Sequence, residues 1–264
     1  MTALKSGCKY AMLFAAASLF QIGTAVAACL NSAETCKIEG GSYHLVWPTD
    51  VSRDKTVPAV VVLHGYKGSG LGLIKSGKMV KTLLARSYAV IAPEGTDGSW
   101  SFMGNGRDDV AFILAIADDA AKRGNIARER MLLAGFSLGG SLVAYVACRD
   151  PEAFKAYAPI AGNFWKPEPD HCAGPVNYLH THGVKDTTMP VAGRSVGSGL
   201  QQANLLESLA ILARASGCDD ADSKTAVTRS WTGCKTTLQL VMHPGGHSVP
   251  GFWADAAINW FEGL

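Results

Sequence analysis

The sequence predicts an α/β fold in which a mostly parallel sheet is covered by helices on both faces. Three observations carry this expectation. Continuous apolar runs such as Pro58–Leu63 (PAVVVL) and Tyr88–Pro93 (YAVIAP) lack polar alternation, as strands buried on both sides do. Segments of helical periodicity separate such runs, the clearest being Asp108–Arg123 and Gln201–Ser216. Finally, the apolar run Met131–Ala134 turns through Gly135-Phe136-Ser137-Leu138-Gly139-Gly140 into Ser141–Cys148, a strand–turn–helix built of small residues.

The material before this fold differs in kind. Lys5 and Lys9 precede a short apolar run, Ala11–Phe20, which leads to Ala25-Val26-Ala27-Ala28. A basic start, a short apolar stretch and small residues at a cleavage point make residues 1–28 a secretory signal peptide, too short in its apolar part to span a bilayer. Residues 29–264 are then one domain with a full core. Setting aside Lys5 and Lys9 from the 24 basic residues leaves them equal to the 22 acidic ones. A formally neutral chain points to neither nucleic acid nor an anionic membrane as partner.

Of the 7 cysteines, Cys8 falls in the leader and the even set Cys29, Cys36, Cys148, Cys172, Cys218 and Cys234 remains. In a chain bound for an oxidising compartment, such a set reads as disulfides. Chain proximity pairs Cys29 with Cys36 and Cys218 with Cys234, leaving Cys148 for Cys172. A second reading of the cleavage point lipidates Cys29 and anchors the protein to a membrane, at the cost of an odd thiol at Cys36. Without a C-x-x-C spacing, metal ligation by these cysteines is disfavoured. The expected location is secreted or periplasmic.

In chain order, Ser42–Trp47 alternates as a leading strand and Pro58–Leu63 follows as a central one. Gly72–Arg86 is expected as a helix, Tyr88–Pro93 as a strand and Asp108–Arg123 as a helix with acidic residues at its start. After the Gly-rich turn come strands Ala156–Ala161 and Val176–His182, helix Gln201–Ser216, strand Leu238–His243 and a helix from Phe252 to the end. In open parallel sheets, function gathers where chain leaves the C-terminal ends of strands. His64–Gly70, Ser137, Asp186 and His247 all follow expected strands.

G-x-S-x-G alone is weak in a chain holding 29 glycines, but between a buried strand and a small-residue helix it has a mechanism. A tight turn exposes the Ser137 hydroxyl above the sheet, and the new helix aims its amides at the same point. A serine needs a base, and His247, in the Gly- and Pro-rich loop His243–Gly251, is placed to serve. Imidazole in turn needs a carboxylate, for which Asp186 in His182-Gly183-Val184-Lys185-Asp186 is the candidate. The amides of Tyr66 and Leu138 are the expected pair of oxyanion donors. His64 and His243 read as structural. His180 and His182 share one strand face and lack an obvious third ligand, so neither a metal nor a cofactor is expected.

These residues carry a resemblance. LHGYKGSG (63–70), APEGTDGSWS (92–101), GFSLGGS (135–141), CRDPEAF (148–154), HGVKD (182–186) and PGGHSVPG (244–251) are similar to motifs of the secreted α/β-hydrolase esterases that include poly(3-hydroxybutyrate) depolymerases and feruloyl esterases. The resemblance implies an α/β-hydrolase fold, a Ser137–Asp186–His247 triad and hydrolysis of carboxylic esters by a serine esterase. It also implies the bridges Cys148–Cys172 and Cys218–Cys234. One departure stands out, because Val249 occupies a place where the family often has Trp.

Further expectations concern the substrate. Only Gly162–Pro175 separates two strands where a cap domain would be inserted, so no large cap is expected and the site should be open. Trp100, Phe102, Phe164 and Trp165 lie on loops placed to wall it, against either an aryl acid or a methyl-rich polyester. The chain ends soon after the last helix, without a polymer-binding module. The expected substrates are therefore hydroxyalkanoate oligomers or similar soluble esters, with feruloyl or acetyl-xylan esters of plant cell walls as the alternative. A hydrolase-fold protein that only binds its ligand is the rival of another class.

Overall fold

The computed structural model describes residues 2, 29, 35–104, 106–197, 199–222 and 224–264, so the leader expected over residues 1–28 lies outside them apart from residue 2. Along the chain run β1 (Cys36–Ile38), β2 (Gly41–Val46), β3 (Val57–Leu63), α1 (Gly70–Ser76), α2 (Lys78–Ala85), β4 (Ala89–Pro93) and α3 (Asp109–Arg123). Then follow β5 (Ile126–Phe136), α4 (Leu138–Arg149), β6 (Ala156–Ile160), β7 (Tyr178–Gly183), β8 (Arg194–Val196) and β9 (Leu200–Gln202). The chain closes with α5 (Leu205–Ala215), β10 (Arg229–Ser230), β11 (Leu238–His243) and α6 (Trp253–Glu262).

Among the described residues the main sheet has 9 strands in the order β1-β2-β4-β3-β5-β6-β7-β11-β10. The six strands from β4 to β11 are mutually parallel, while β1, β2 and β10 add antiparallel edges. The apolar runs owe their composition to this position. Every residue of β3, β4, β6 and β7 is buried, because helices cover both faces and no side of the strand meets water. Successive side chains feed two separate cores. Ala59, Val61 and Leu63 join Met131, Leu133, Ile113, Leu142 and Leu209 on the face covered by α3, α4 and α5. Val60 and Val62 join Leu132, Ala134, Leu83, Trp253 and Phe261 on the face covered by α2 and α6.

The three disulfides Cys29–Cys36, Cys148–Cys172 and Cys218–Cys234 are formed, as chain proximity and the family resemblance led one to expect. Cys148, in the last turn of α4, thereby fixes the segment between β6 and β7. That segment holds no helix among its residues, and no large cap covers the sheet edge.

Two helices differ from expectation. The single helix expected over 72–86 is broken at Gly77, whose φ of +78° is a helix-ending conformation natural to glycine. The helix expected from Gln201 begins instead at Leu205, capped by Asn204, whose side chain accepts from the Leu206 amide at 2.8 Å. The two glutamines before it are strand residues of the β8–β9 hairpin. The elbow strand also extends well beyond the expected Met131–Ala134 at both ends.

Register aligns the strand ends that matter. Leu63 of β3 lies opposite Gly135 of β5, and Gly183 of β7 opposite His243 of β11. The loops holding Tyr66, Ser137, Asp186 and His247 therefore leave one edge of the sheet side by side. Leu133 is fully buried at the centre of this arrangement, where truncation leaves a cavity that cannot collapse. Leu133→Ala is expected to lower unfolding free energy by about 3 kcal/mol, read as a lower denaturant midpoint at unchanged m-value.

Candidate active site

Ser137 sits between β5 and α4 with φ of +57° and ψ of −121°, a conformation a side chain rarely adopts. Its surroundings over-determine it. The Ser137 amide donates to Ile160 O at 2.9 Å, and the Ser137 carbonyl accepts from the Ser141 amide at 2.9 Å. Glycine is required where backbones cross here. A Cβ on Gly139 would lie 2.5 Å from the carbonyl oxygens of Leu63 and His64, and one on Gly162 would overlap the Ser137 carbonyl. α4 begins at Leu138, so its unpaired amides and positive dipole end point at the serine.

The three side chains nominated by sequence are joined in series. His247 Nδ1 lies 2.7 Å from Asp186 Oδ2, and His247 Nε2 lies 2.8 Å from Ser137 Oγ. A carboxylate only accepts, so Nδ1 carries the imidazole proton and Nε2 is left to accept from the serine hydroxyl. Asp186 is 5% exposed and its other oxygen accepts from the amides of Thr188 at 2.9 Å and Met189 at 2.8 Å. Phe136 packs against the His247 ring at 4.7 Å.

Beneath Asp186 a chain of buried histidines holds this loop. His182 Nε2 donates to Met189 O at 2.7 Å, and His180 Nε2 donates to His182 Nδ1 at 3.1 Å. His182 also approaches Asp186 Oδ2 to 3.8 Å, but burial holds its ring below the ordinary imidazole range, so the contact is not an ion pair. Burial, with the adjacent His182 ring, pushes His180 further in the same direction. The pair is thus hydrogen-bonded to itself and, through His182, to backbone, with His180 Nδ1 left buried without a partner among the described residues. Among the described residues no group of three or more His, Cys, Asp or Glu side chains is arranged to hold an ion.

His64 is a loop brace. Its Nδ1 donates to Gly65 O at 2.8 Å, its Nε2 accepts from the Gly95 amide at 3.0 Å, and its carbonyl accepts from Trp100 Nε1 at 2.7 Å. Burial lowers its pKa, in keeping with a neutral ring that both donates and accepts. His243 is similarly structural, accepting from the Gly245 amide at 3.1 Å. By this bracing, Tyr66 and Leu138 reach the wall of one cavity with Ser137.

That cavity measures about 470 Å³, and Trp100, Phe102 and Trp165 line it as expected. Phe164 does not. It is fully buried, its ring edge-on to Tyr145 at 5.1 Å, because the chain alternates here and sends only its neighbour Trp165 outward. Val249, the departure from the family motif, packs partly buried on the α6 side of the sheet rather than on the cavity wall. Sequence reading missed the opposite wall, made by Arg194, Val196, Leu200 and Gln202 of β8 and β9, with Thr188 and Met189 from the Asp186 loop. The signal is present as RSV and LQQ around Gly197-Ser198-Gly199, short runs about a turn, but RSV falls in no expected element and Gln201 and Gln202 fall in the expected helix.

Comparison with known proteins agrees with this architecture. Residues 79–165, from α2 through the Ser137 elbow to Trp165, match the prolyl oligopeptidase family. A probable feruloyl esterase C of Aspergillus clavatus is 27% identical over 227 residues, covering 80% of this chain and 76% of its own. Feruloyl esterase C of Emericella nidulans is 27% identical over 227 residues, with coverage of 80% and 77%. Among solved structures, an acetyl xylan esterase from Aspergillus awamori superposes with a TM-score of 0.64 at 15% identity, covering 88% of this chain and 99% of that one. The fold is that of the α/β-hydrolases, and the sequence resembles the feruloyl esterases.

The buried histidines generate a stability prediction. In His64, His180 and His182 burial depresses the folded-state pKa below 6.5. The unfolded chain then binds protons that the folded chain refuses as pH falls below about 6.5, so their contribution is complete above that value and is lost below it. Each can cost up to ~1.4 kcal/mol per pH unit across the window between its two pKa values. The denaturation midpoint should hold between pH 7 and 8 and fall steadily from pH 6.5 to 5. A flat profile across that range would contradict the assignment of neutral buried rings.

Proposed function

We propose that this chain is an exported serine hydrolase of carboxylic esters that works through an acyl-enzyme. One observation carries the reading: Ser137 Oγ, His247 and Asp186 form a continuous hydrogen-bonded series of 2.8 and 2.7 Å at the floor of an aromatic-walled cavity. His247 takes the serine proton as Oγ attacks the ester carbonyl. The amides of Tyr66 and Leu138 hold the oxyanion, which is the role that stabilises the developing charge most. His247 then protonates the departing alcohol, and next deprotonates the water that releases the acid. The relatives named as feruloyl esterases support ester hydrolysis over peptide hydrolysis. The prolyl oligopeptidase match ends before both Asp186 and His247 and so covers the shared core without the full constellation.

Two classes of soluble ester fit the cavity. The names feruloyl esterase and acetyl xylan esterase among the relatives favour feruloyl or acetyl esters of plant cell walls, and the aromatic ring of a feruloyl group suits Trp100, Phe102 and Trp165. The same apolar wall suits the methyl-bearing chain of hydroxyalkanoate oligomers. Three disulfides favour an oxidising destination, secreted or periplasmic. No nucleic acid partner or cofactor enters the proposal. A binding protein built on this fold would have no use for a serine hydroxyl aimed at an imidazole.

Ser137→Ala should fold normally, since Oγ bonds only His247, and should lower kcat on 4-nitrophenyl acetate by about 10⁴- to 10⁶-fold. Fluorophosphonate should label the native protein at Ser137 and leave the variant unlabelled. Unlabelled native protein would support the binding-only rival instead. A panel of methyl ferulate, acetylated xylan and hydroxybutyrate oligomers separates the two substrate classes.

A further inference from the structure

The β8–β9 hairpin has one face toward the cavity. Arg194 lies directly opposite Gln202 and Val196 opposite Leu200, so these four side chains share a face, with Ser195 and Gln201 on the other. All four line the cavity. Val196 and Leu200 extend the apolar wall, as an ester pocket requires. Arg194 does something different. Among the described residues that line the cavity it is the only one carrying a charge.

Its guanidinium is held but not neutralised. Nε donates to Thr188 O at 2.8 Å, which fixes the base of the fork. Most other arginines, Arg123, Arg149 and Arg86 among them, pair with a carboxylate, whereas among the described residues Arg194 forms no ion pair. Among the described residues its two terminal nitrogens have no protein acceptor, and they stand on the wall of a cavity whose other described lining residues are uncharged. Arg194 is exposed, so its terminal nitrogens are open to an incoming ligand, and a fork of parallel N–H groups matches a carboxylate in shape and charge.

We propose that Arg194 is a carboxylate-binding residue, and that the preferred substrates are esters carrying a carboxylate on the part seated against the hairpin. This rests on the ester-hydrolase reading. Two sources supply such chemistry: the free acid end of a hydroxyalkanoate oligomer, and a uronic acid beside an esterified sugar. The rival role for Arg194 is a brace for Thr188, whose amide in turn donates to Asp186. A brace would affect charged and neutral substrates alike.

The experiment compares the native enzyme with Arg194→Gln and Arg194→Lys on matched pairs. One pair is the 3-hydroxybutyrate dimer and its terminal carboxamide, which share a scissile ester and differ in charge. The other is acetylated oligogalacturonate and acetylated xylo-oligosaccharide. In at least one pair the native enzyme should show kcat/KM roughly ten- to a hundredfold higher for the charged member, the range of a charge-assisted hydrogen bond. Raising ionic strength should shrink that ratio. Arg194→Gln should abolish it and Arg194→Lys should retain part of it, with fluorophosphonate labelling of Ser137 showing that both variants fold. The pair that responds identifies the source of the carboxylate. No preference in either pair, or a ratio unchanged by Arg194→Gln, overturns the proposal; equal loss on both members assigns Arg194 to bracing. These outcomes leave ester hydrolysis intact, whereas failure of native protein to hydrolyse 4-nitrophenyl acetate or to take the label sinks both readings together.

Discussion

The close approach of backbones around Ser137 is the constraint on which the rest of the structure depends. A serine at φ of +57° is unfavourable by itself and persists only where its neighbours leave no alternative. β6 supplies one restraint through the Ile160 carbonyl, and the first turn of α4 supplies another through the Ser141 amide. Gly139 lets that turn lie directly on the end of β3, and Gly162 lets the chain leaving β6 pass under the serine. Side chains at either position would push the three central strands apart. Ser137 is thus placed by the middle of the sheet, the part least able to move, with both hydrophobic cores packed against it.

The two side chains in series with Ser137 come from a different part of the fold. Asp186 and His247 follow β7 and β11, adjacent strands toward one side, and their loops are rich in glycine and proline. What stiffens them is polar. The amides of Thr188 and Met189 hold one Asp186 oxygen while His247 holds the other. The Met189 carbonyl is tied to His182, which is tied to His180. Such a buried series is costly when incomplete and rigid when satisfied. A neutral histidine suits the middle of the series, since His182 accepts from His180 and donates to Met189 O at once. Arg194 extends the same network outward, through Thr188, to the cavity wall.

Much of the site was legible because its chemistry is local in sequence. The elbow needs consecutive residues, so GFSLGG with an apolar strand before it could be read directly. Asp186 and His247 were legible by position, since each follows a run that only a buried strand explains. The disulfides were suggested by an even count and chain proximity, with the family resemblance supporting Cys148–Cys172 and Cys218–Cys234. The fold class needed nothing more than the alternation of apolar runs with amphipathic stretches. Phe164 shows where this kind of reading fails. A loop aromatic next to Trp165 looks the same in sequence whether it faces ligand or core, and only the complete burial of Phe164 in the fold distinguishes them.

The sequence by itself determined the α/β class and the placing of Ser137, Asp186 and His247 after strands, because each rests on periodicity or turn chemistry along the chain, while chain proximity and resemblance only suggested how the cysteines pair. Tertiary structure alone decided the shape of the pocket. Gln201 and Gln202 suit a helix start as well as a strand, and the hairpin wins because Arg194–Val196 lies alongside to complete its hydrogen bonds. That long-range choice puts a cation on the wall of an apolar cavity. It could not be read from the residues one after another, since neither strand exists without the other.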